Sequence, residues 1–312
     1  MSIRLTGSRI REFKAELILL LLTVIWGGTF SLIKSALDHV SPFVFVTMRF
    51  GVASLIFLPF VYNQLKGLDK SKLLDGFWIG FWFFLGFILQ TVGLQYTTAS
   101  KSAFITGTFV IFTPLAQTII EKRPPSLVHT IGIGIVAVGI IFLSSGDGDV
   151  LSVITELGSS FNFGDFLTLL CAMSFGIYIV YLDVVTKRNN YLYATFSQLA
   201  FTAVVGLVVM PFFHYSGVEV VKFTLNFDVV FALVYTTLFA TLFNITMMTK
   251  YQKEVPPVKA AIIYAFEPIF AAVIAFLLLG EQFTKLGLIG AGIIFFGLIF
   301  TELFNRGETA DG

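Results

Sequence analysis

The chain has 312 residues, 56% hydrophobic and only 12% charged, with a formal net charge of +1 and a mean hydropathy of +0.89. Soluble domains carry about 25% charged residues, so this composition argues against a soluble fold and for a membrane. The near-neutral balance argues equally against a nucleic-acid partner, which needs a basic face.

A basic N-terminal stretch with Arg4, Arg9, Arg11 and Lys14 precedes an apolar run over 15–34. The run is too long for a signal peptide and no A-x-A site follows it, so it reads as an uncleaved first helix. Further apolar spans are predicted at 42–62, 76–96, 102–120 and 128–144. A polar linker over 145–163 carries Asp147, Asp149 and Glu156 and reads as a solvated loop. Five more spans are predicted at 164–184, 191–213, 229–250, 257–280 and 286–304, before a polar tail. The fold class expected is therefore an all-α integral membrane protein with ten transmembrane helices. The domain division is 1–144 and 164–305 for two five-helix units, with an outer linker at 145–163 and a tail at 306–312.

The basic residues orient it. Of the 20 Lys and Arg, Lys34, Lys101, Lys222 and Lys285 fall on one side and Arg49 lies within a span, leaving 15 on the other. The majority side is expected in the cytoplasm together with both termini, in the plasma (inner) membrane.

The two units echo one another. Trp26 and Gly27 match Phe175 and Gly176, and Arg49 matches Gln198, each 149 residues apart; Gln90 and Asn244, and Pro114 and Pro268, are each 154 apart. Gly132, Gly134 and Gly139 precede Gly290, Gly292 and Gly297 by 158. Five spans is an odd number, so the second unit must be inverted relative to the first. Secondary transporters recurrently use this design.

The residues IWGGTF at 25–30, Arg49–Phe50, LQYTTAS at 94–100, Pro114, Gly164–Asp165 and above all EPIFAAVIAFLLLGE at 267–281 resemble the EamA-type branch of the drug/metabolite transporter superfamily. The resemblance covers nearly the whole chain. It departs in the fourth span, where QTIIEKRPP stands in place of a leucine-rich run ending in Gly-Glu. It implies a ten-helix permease, commonly an exporter of amino acids or other small metabolites, with a central cavity between the halves.

Polar groups within the spans are the candidate cavity residues. Arg49 and Glu267 are charges at a depth that costs about 2.5–3.5 kcal/mol, so neither is expected to face lipid. Arg49 can hold a substrate carboxylate or phosphate with its fixed fork, or form a structural pair with Glu267. Glu267 can carry a coupled proton or stay ionised beside Arg49. Gln90, Gln198 and Asn244 are amides that line the cavity or bond neighbouring helices. Trp26, Tyr178 and Tyr264 lie deeper than the interfacial aromatic belts and are read as cavity wall. Pro114 and Pro268 are expected to break their helices. The glycines of the fifth and tenth spans read as close packing, either between the halves or between two copies in a homodimer. The phenylalanines read mostly as lipid-facing or packing residues.

Other chemistry lacks a motif. Cys171 has no disulfide partner, His39, His129 and His214 lack metal-ligand spacing, and no phosphate-binding loop occurs. No cofactor, metal or catalytic constellation is expected. Partners are the bilayer, a small-molecule substrate and, in one alternative, protons. The rival readings are a membrane ligand sensor or scaffold without transport, and a membrane enzyme.

Overall fold

The computed structural model describes residues 2–143, 162–217, 219–280, 282 and 285–304; the linker over 145–161 and the tail over 306–312 lie outside the described residues. Every regular element among the described residues is helical, apart from one isolated β-bridge. In chain order they are α1 (Ser2–Ala36), α2 (Pro42–Val61), α3 (Lys70–Leu94), α4 (Ala99–Gly107), α5 (Phe109–Ile120) and α6 (Leu127–Leu143). The second half contains α7 (Phe163–Arg188), α8 (Tyr191–Tyr215), α9 (Phe227–Tyr235), a π-helix (Thr236–Phe243) and α10 (Asn244–Tyr251). It ends with α11 (Pro257–Tyr264), α12 (Glu267–Leu279) and α13 (Lys285–Phe304).

Short polar residues start these helices. Asp69, Thr98, Asn162, Asn190 and Asn226 each accept a hydrogen bond from a backbone N–H of the first turn of α3, α4, α7, α8 and α9, satisfying donors that have no intrahelical partner. Pro42 opens α2 at a position where its missing N–H costs nothing,. Gly280 closes α12 with φ 68°, a left-handed turn that favours glycine,.

Eight helical stretches are long and apolar enough to cross a membrane, and two shorter ones, Leu127–Phe142 and Lys285–Thr301, are also apolar. Leu55, Phe60, Val208, Phe212 and Leu277 point their side chains out of the bundle. Apolar exposure on this scale needs lipid to cover it.

Helix contacts respect an exchange of the two halves. α1 packs on α12 as α7 packs on α5; α3 packs on α7 as α9 and α10 pack on α1; α2 pairs with α8 and α6 with α13. The first helices of the two halves run antiparallel. At one end Lys34, near the C-terminus of α1, donates to the carbonyls of Leu94 and Gln95 at 2.8 and 3.2 Å. At the same end Asn162, capping the N-terminus of α7, donates to the Tyr96 carbonyl at 3.0 Å. Gly132, Gly139 and Gly297 join α6 to α13 within one chain, whereas a Cβ on Gly134 or Gly292 would meet nothing within 4 Å. A Cβ on Gly139 would stand 2.9 Å from the Gly290 carbonyl, and one on Gly297 2.8 Å from Val136.

A clasp ties the α1–α2 connection to the α8–α9 connection. Val40 bridges Phe223, and Ser41 N–H donates to the Lys222 carbonyl at 2.9 Å. The Lys222 ammonium donates to the Asp38 carbonyl. Glu219 accepts the Phe43 N–H at 3.1 Å, placing a carboxylate at the N-terminus of α2,.

Candidate functional site

A cavity opens between the halves. Its wall comes from one face of each of several helices: Trp26 and Thr29 of α1; Phe83, Phe87 and Gln90 of α3; Phe109 of α5; Phe175, Tyr178 and Ile179 of α7; Ile245 and Met248 of α10; Tyr264 of α11; and Glu267 of α12. The spacing of three, four and seven residues on α3 is that of one helical face. The aromatic rings touch in sequence: Phe83–Phe87 at 4.6 Å, Phe87–Phe175 at 5.2 Å, Phe83–Tyr178 at 5.3 Å and Trp26–Tyr264 at 5.7 Å between centroids.

Glu267 reaches this wall because its helix is interrupted. α11 ends at Tyr264 and α12 restarts at Glu267. Pro268 takes the second position of the new helix, where it needs no N–H donor,. Pro114, by contrast, lies inside α5, and the interruption of the fourth span falls earlier, at Thr108. The expected break at Pro114 is thus displaced toward Gly107. A Cβ on Gly107 would meet the Pro268 ring at 2.8 Å, so the two interrupted spans cross there.

The structure brings Trp26, Gln90, Tyr178, Tyr264 and Glu267 into one wall and sets Arg49, Gln198 and Asn244 one layer behind it. Arg49 is 2% exposed. Its Nε donates to Thr241 Oγ1 at 2.7 Å, its guanidinium lies 4.9 Å from the ring centres of Phe50 and Phe87, and its Nη2 is buried without a partner. No ion pair joins it to Glu267 among the described residues. Gln198 accepts the Tyr178 hydroxyl at 2.7 Å and donates to Thr249 at 3.2 Å. Asn244 donates to the Leu22 carbonyl at 2.9 Å.

Nothing in the sequence marks the phenylalanines, Thr29, Ile179, Ile245 or Met248 as wall residues. An apolar side chain facing a cavity and one facing lipid look alike in sequence. Nor does the sequence pair the charges that lie at the ends of the bundle. Lys101 at the start of α4 meets Asp165 at 2.7 Å, and Asp165 also accepts the Thr97 hydroxyl at 2.7 Å and the Asn162 N–H at 2.9 Å. Lys259 at the start of α11 meets Glu16 at 2.5 Å and Glu12 at 3.4 Å. Asp165 follows Glu16 by 149 residues, the offset that relates Trp26 to Phe175. The first pair shares its end of the bundle with Lys34, and Glu16 lies 18 residues earlier on the same helix, about 27 Å away at 1.5 Å per residue. The two pairs therefore stand at opposite ends.

An all-helical membrane protein of two exchangeable halves, with a mixed aromatic and polar cavity between them, has the architecture of a membrane transporter. The chain belongs to the EamA-like transporter family, whose profile matches residues 13–145 and again 162–303. It is similar to an uncharacterized transporter of Archaeoglobus fulgidus, 34% identical over 94% of this chain and 87% of that one. An uncharacterized transporter of Bacillus subtilis, YoaV, is 23% identical over 94% and 98%. A chloroplastic WAT1-related protein of Arabidopsis thaliana is 25% identical over 92% and 68%. One solved crystal structure shares the fold with a TM-score of 0.68 at 13% identity, over 94% of this chain and 98% of the other.

Proposed function

We propose that this membrane transporter is a secondary permease that exports a small organic metabolite by alternating access. The observation that carries the reading is the pair of ion-pair latches, Lys101–Asp165 and Lys259–Glu16, related by the exchange of halves and standing at opposite ends of the bundle that holds the cavity. Parting one latch while the other holds opens the cavity to one side; exchanging their roles opens it to the other.

In this account Trp26, Gln90, Tyr178, Tyr264 and Glu267 contact the solute, while Arg49, Gln198 and Asn244 hold the wall from behind. Glu267 is the group that can exchange a proton for the solute. The chain crosses the inner membrane ten times, as repeats 1–144 and 164–305. α6, with 17 residues, rises about 26 Å, close to the hydrocarbon thickness. Both termini are cytoplasmic, in keeping with the basic-residue asymmetry. Single cysteines replacing Ser71 and Ser152, in a Cys171→Ser background, should label differently with an impermeant thiol reagent on intact cells. Equal labelling contradicts this topology.

The deciding experiment is flux in proteoliposomes across a metabolite panel. Saturable uptake or counterflow of at least one solute is expected. Binding without flux would make the protein a sensor, and chemical turnover of a solute would make it an enzyme.

A further inference from the structure

Taking the cavity as the solute site of the transporter proposed above, we infer that it recognises its ligand through an ammonium group rather than a carboxylate, and that its ligands are amphipathic organic amines. The hydrogen-bond donors of the wall are mostly engaged already. Trp26 Nε1 already donates to the Ala240 carbonyl at 3.0 Å, and the Thr29 hydroxyl to the Trp26 carbonyl at 2.7 Å. The Tyr178 hydroxyl donates to Gln198 at 2.7 Å and the Tyr264 hydroxyl to Gln252 at 3.0 Å. One of the two N–H groups of Gln90 donates to Thr106 at 3.2 Å. Nearly every donor in the wall is thus spent on the protein, while lone pairs on its oxygens remain.

The interruption at Tyr264–Glu267 offers an anion little more. The N–H groups of Ala265, Phe266, Ile269 and Phe270 donate to backbone carbonyls and Pro268 has none, which leaves the N–H of Glu267, beside that residue's own carboxylate. A helix start of this kind would otherwise attract a carboxylate. Arg49, the cation that could have done so, is not part of the wall: its guanidinium lies against the Phe87 ring and its Nε–H donates to Thr241.

What the wall does offer is Glu267, whose carboxylate makes no hydrogen bond or ion pair among the described residues, together with aromatic rings around it. A carboxylate gives an ammonium ion a charge-assisted hydrogen bond, and ring faces attract the same cation. The apolar remainder of the ligand is matched by Phe83, Phe109, Ile245 and Met248. An amino acid can enter by its ammonium group, but its carboxylate meets few donors and weakens its binding.

Isothermal titration of the purified full-length protein in detergent, with 2-phenylethylamine, L-phenylalanine and 3-phenylpropionate as probes, tests this. The amine should bind most tightly, phenylalanine more weakly, and phenylpropionate without measurable heat. Glu267→Gln should weaken amine binding about tenfold or more, the value of one lost charged hydrogen bond, and Glu267→Asp should retain most of it. Phenylpropionate binding as tightly as the amine, absence of amine binding, or wild-type amine affinity in a folded Glu267→Gln protein would each overturn the inference. If Glu267→Gln does not fold, the ranking of the three probes on the wild-type chain still decides. Flux of another solute without amine binding would leave the transporter reading standing and remove only this one.

Discussion

The third span and the eighth occupy equivalent places in the two halves, yet they are built differently. α3 is a continuous helix of 25 residues, whereas the eighth span passes from α9 through an eight-residue π-helix into α10. The partners across from each explain why. α3 faces Phe175, whose side chain has no N–H to satisfy, and packs it onto Gly86, where a Cβ would lie 2.4 Å from the ring. The eighth span faces Trp26, the counterpart of Phe175, and the Ala240 carbonyl of the π-helix accepts its indole N–H. Thr241, the next residue, accepts from Arg49, whose counterpart Gln198 is satisfied by Tyr178 and Thr249 instead. A π-turn departs from the regular i to i−4 ladder and recurs at functional sites. The scaffold is symmetric, and the second half gives up regularity to hold the polar side chains of the first.

The largest effect expected from breaking this comparison is at the latches, which are symmetric in place but unequal in burial. Asp165 is fully buried and serves three donors, while Glu16 is 14% exposed and its partner Lys259 also reaches Glu12. Asp165→Ala leaves three donors without their acceptor, at about 1–3 kcal/mol for each that stays buried, and should cost more than Glu16→Ala, after which Lys259 keeps Glu12. Cys171, buried and the single cysteine, reports unfolding through a thiol-reactive dye, so melting temperatures in detergent measure both. Equal losses would mean that the two ends are equally embedded.

Next in size is Thr241→Val, which leaves the Arg49 Nε–H buried and unpaired. It should destabilise the protein by about 1.5–3 kcal/mol by the same assay. Trp26→Phe copies the second half's phenylalanine into the first half's place and strands the Ala240 carbonyl, at a cost of about 1 kcal/mol. A neutral result would show that the π-turn is not held by the indole.

The smallest effect concerns Glu219 in the clasp. Burial raises its pKa above the ordinary glutamate range, against the Phe43 N–H and Ser41 hydroxyl, which lower it. The folded chain therefore binds this proton more readily than the unfolded chain. The associated stability is present at low pH and is lost as pH rises through the raised value. Melting temperature should fall slightly over that window in the wild type, and Glu219→Gln should remove that part of the slope.

Much of this architecture is legible in the sequence, because span ends are written in chemistry. Lys and Arg cluster where spans stop, Asn, Asp and Thr cap where helices begin, and the offsets of Trp26, Pro114 and Gly139 announce the repeat. The irregularities are not legible. Residues 236–243 read as one more apolar run, since the partner of the π-turn, Trp26, is 214 residues from Ala240 in the chain. Pro114 reads like Pro268, but only the crossing with Gly107 decides where the fourth span breaks. Arg49 is recognisable as a deep charge; whether it faces the cavity or the layer behind depends on Phe87 and Thr241, which no local pattern connects to it. Lys101 and Lys259 look like loop charges until Asp165 and Glu16 are brought to them.

Locking the latches tests the central claim most directly. In a Cys171→Ser background, Lys101→Cys with Asp165→Cys, and separately Glu16→Cys with Lys259→Cys, would be bridged by a short thiol-specific cross-linker in proteoliposomes, and solute flux followed before and after cleavage of the bridge. Alternating access predicts that bridging either pair stops flux and that cleavage restores it, because each end must open in turn. Undiminished flux with either pair fully bridged would contradict it.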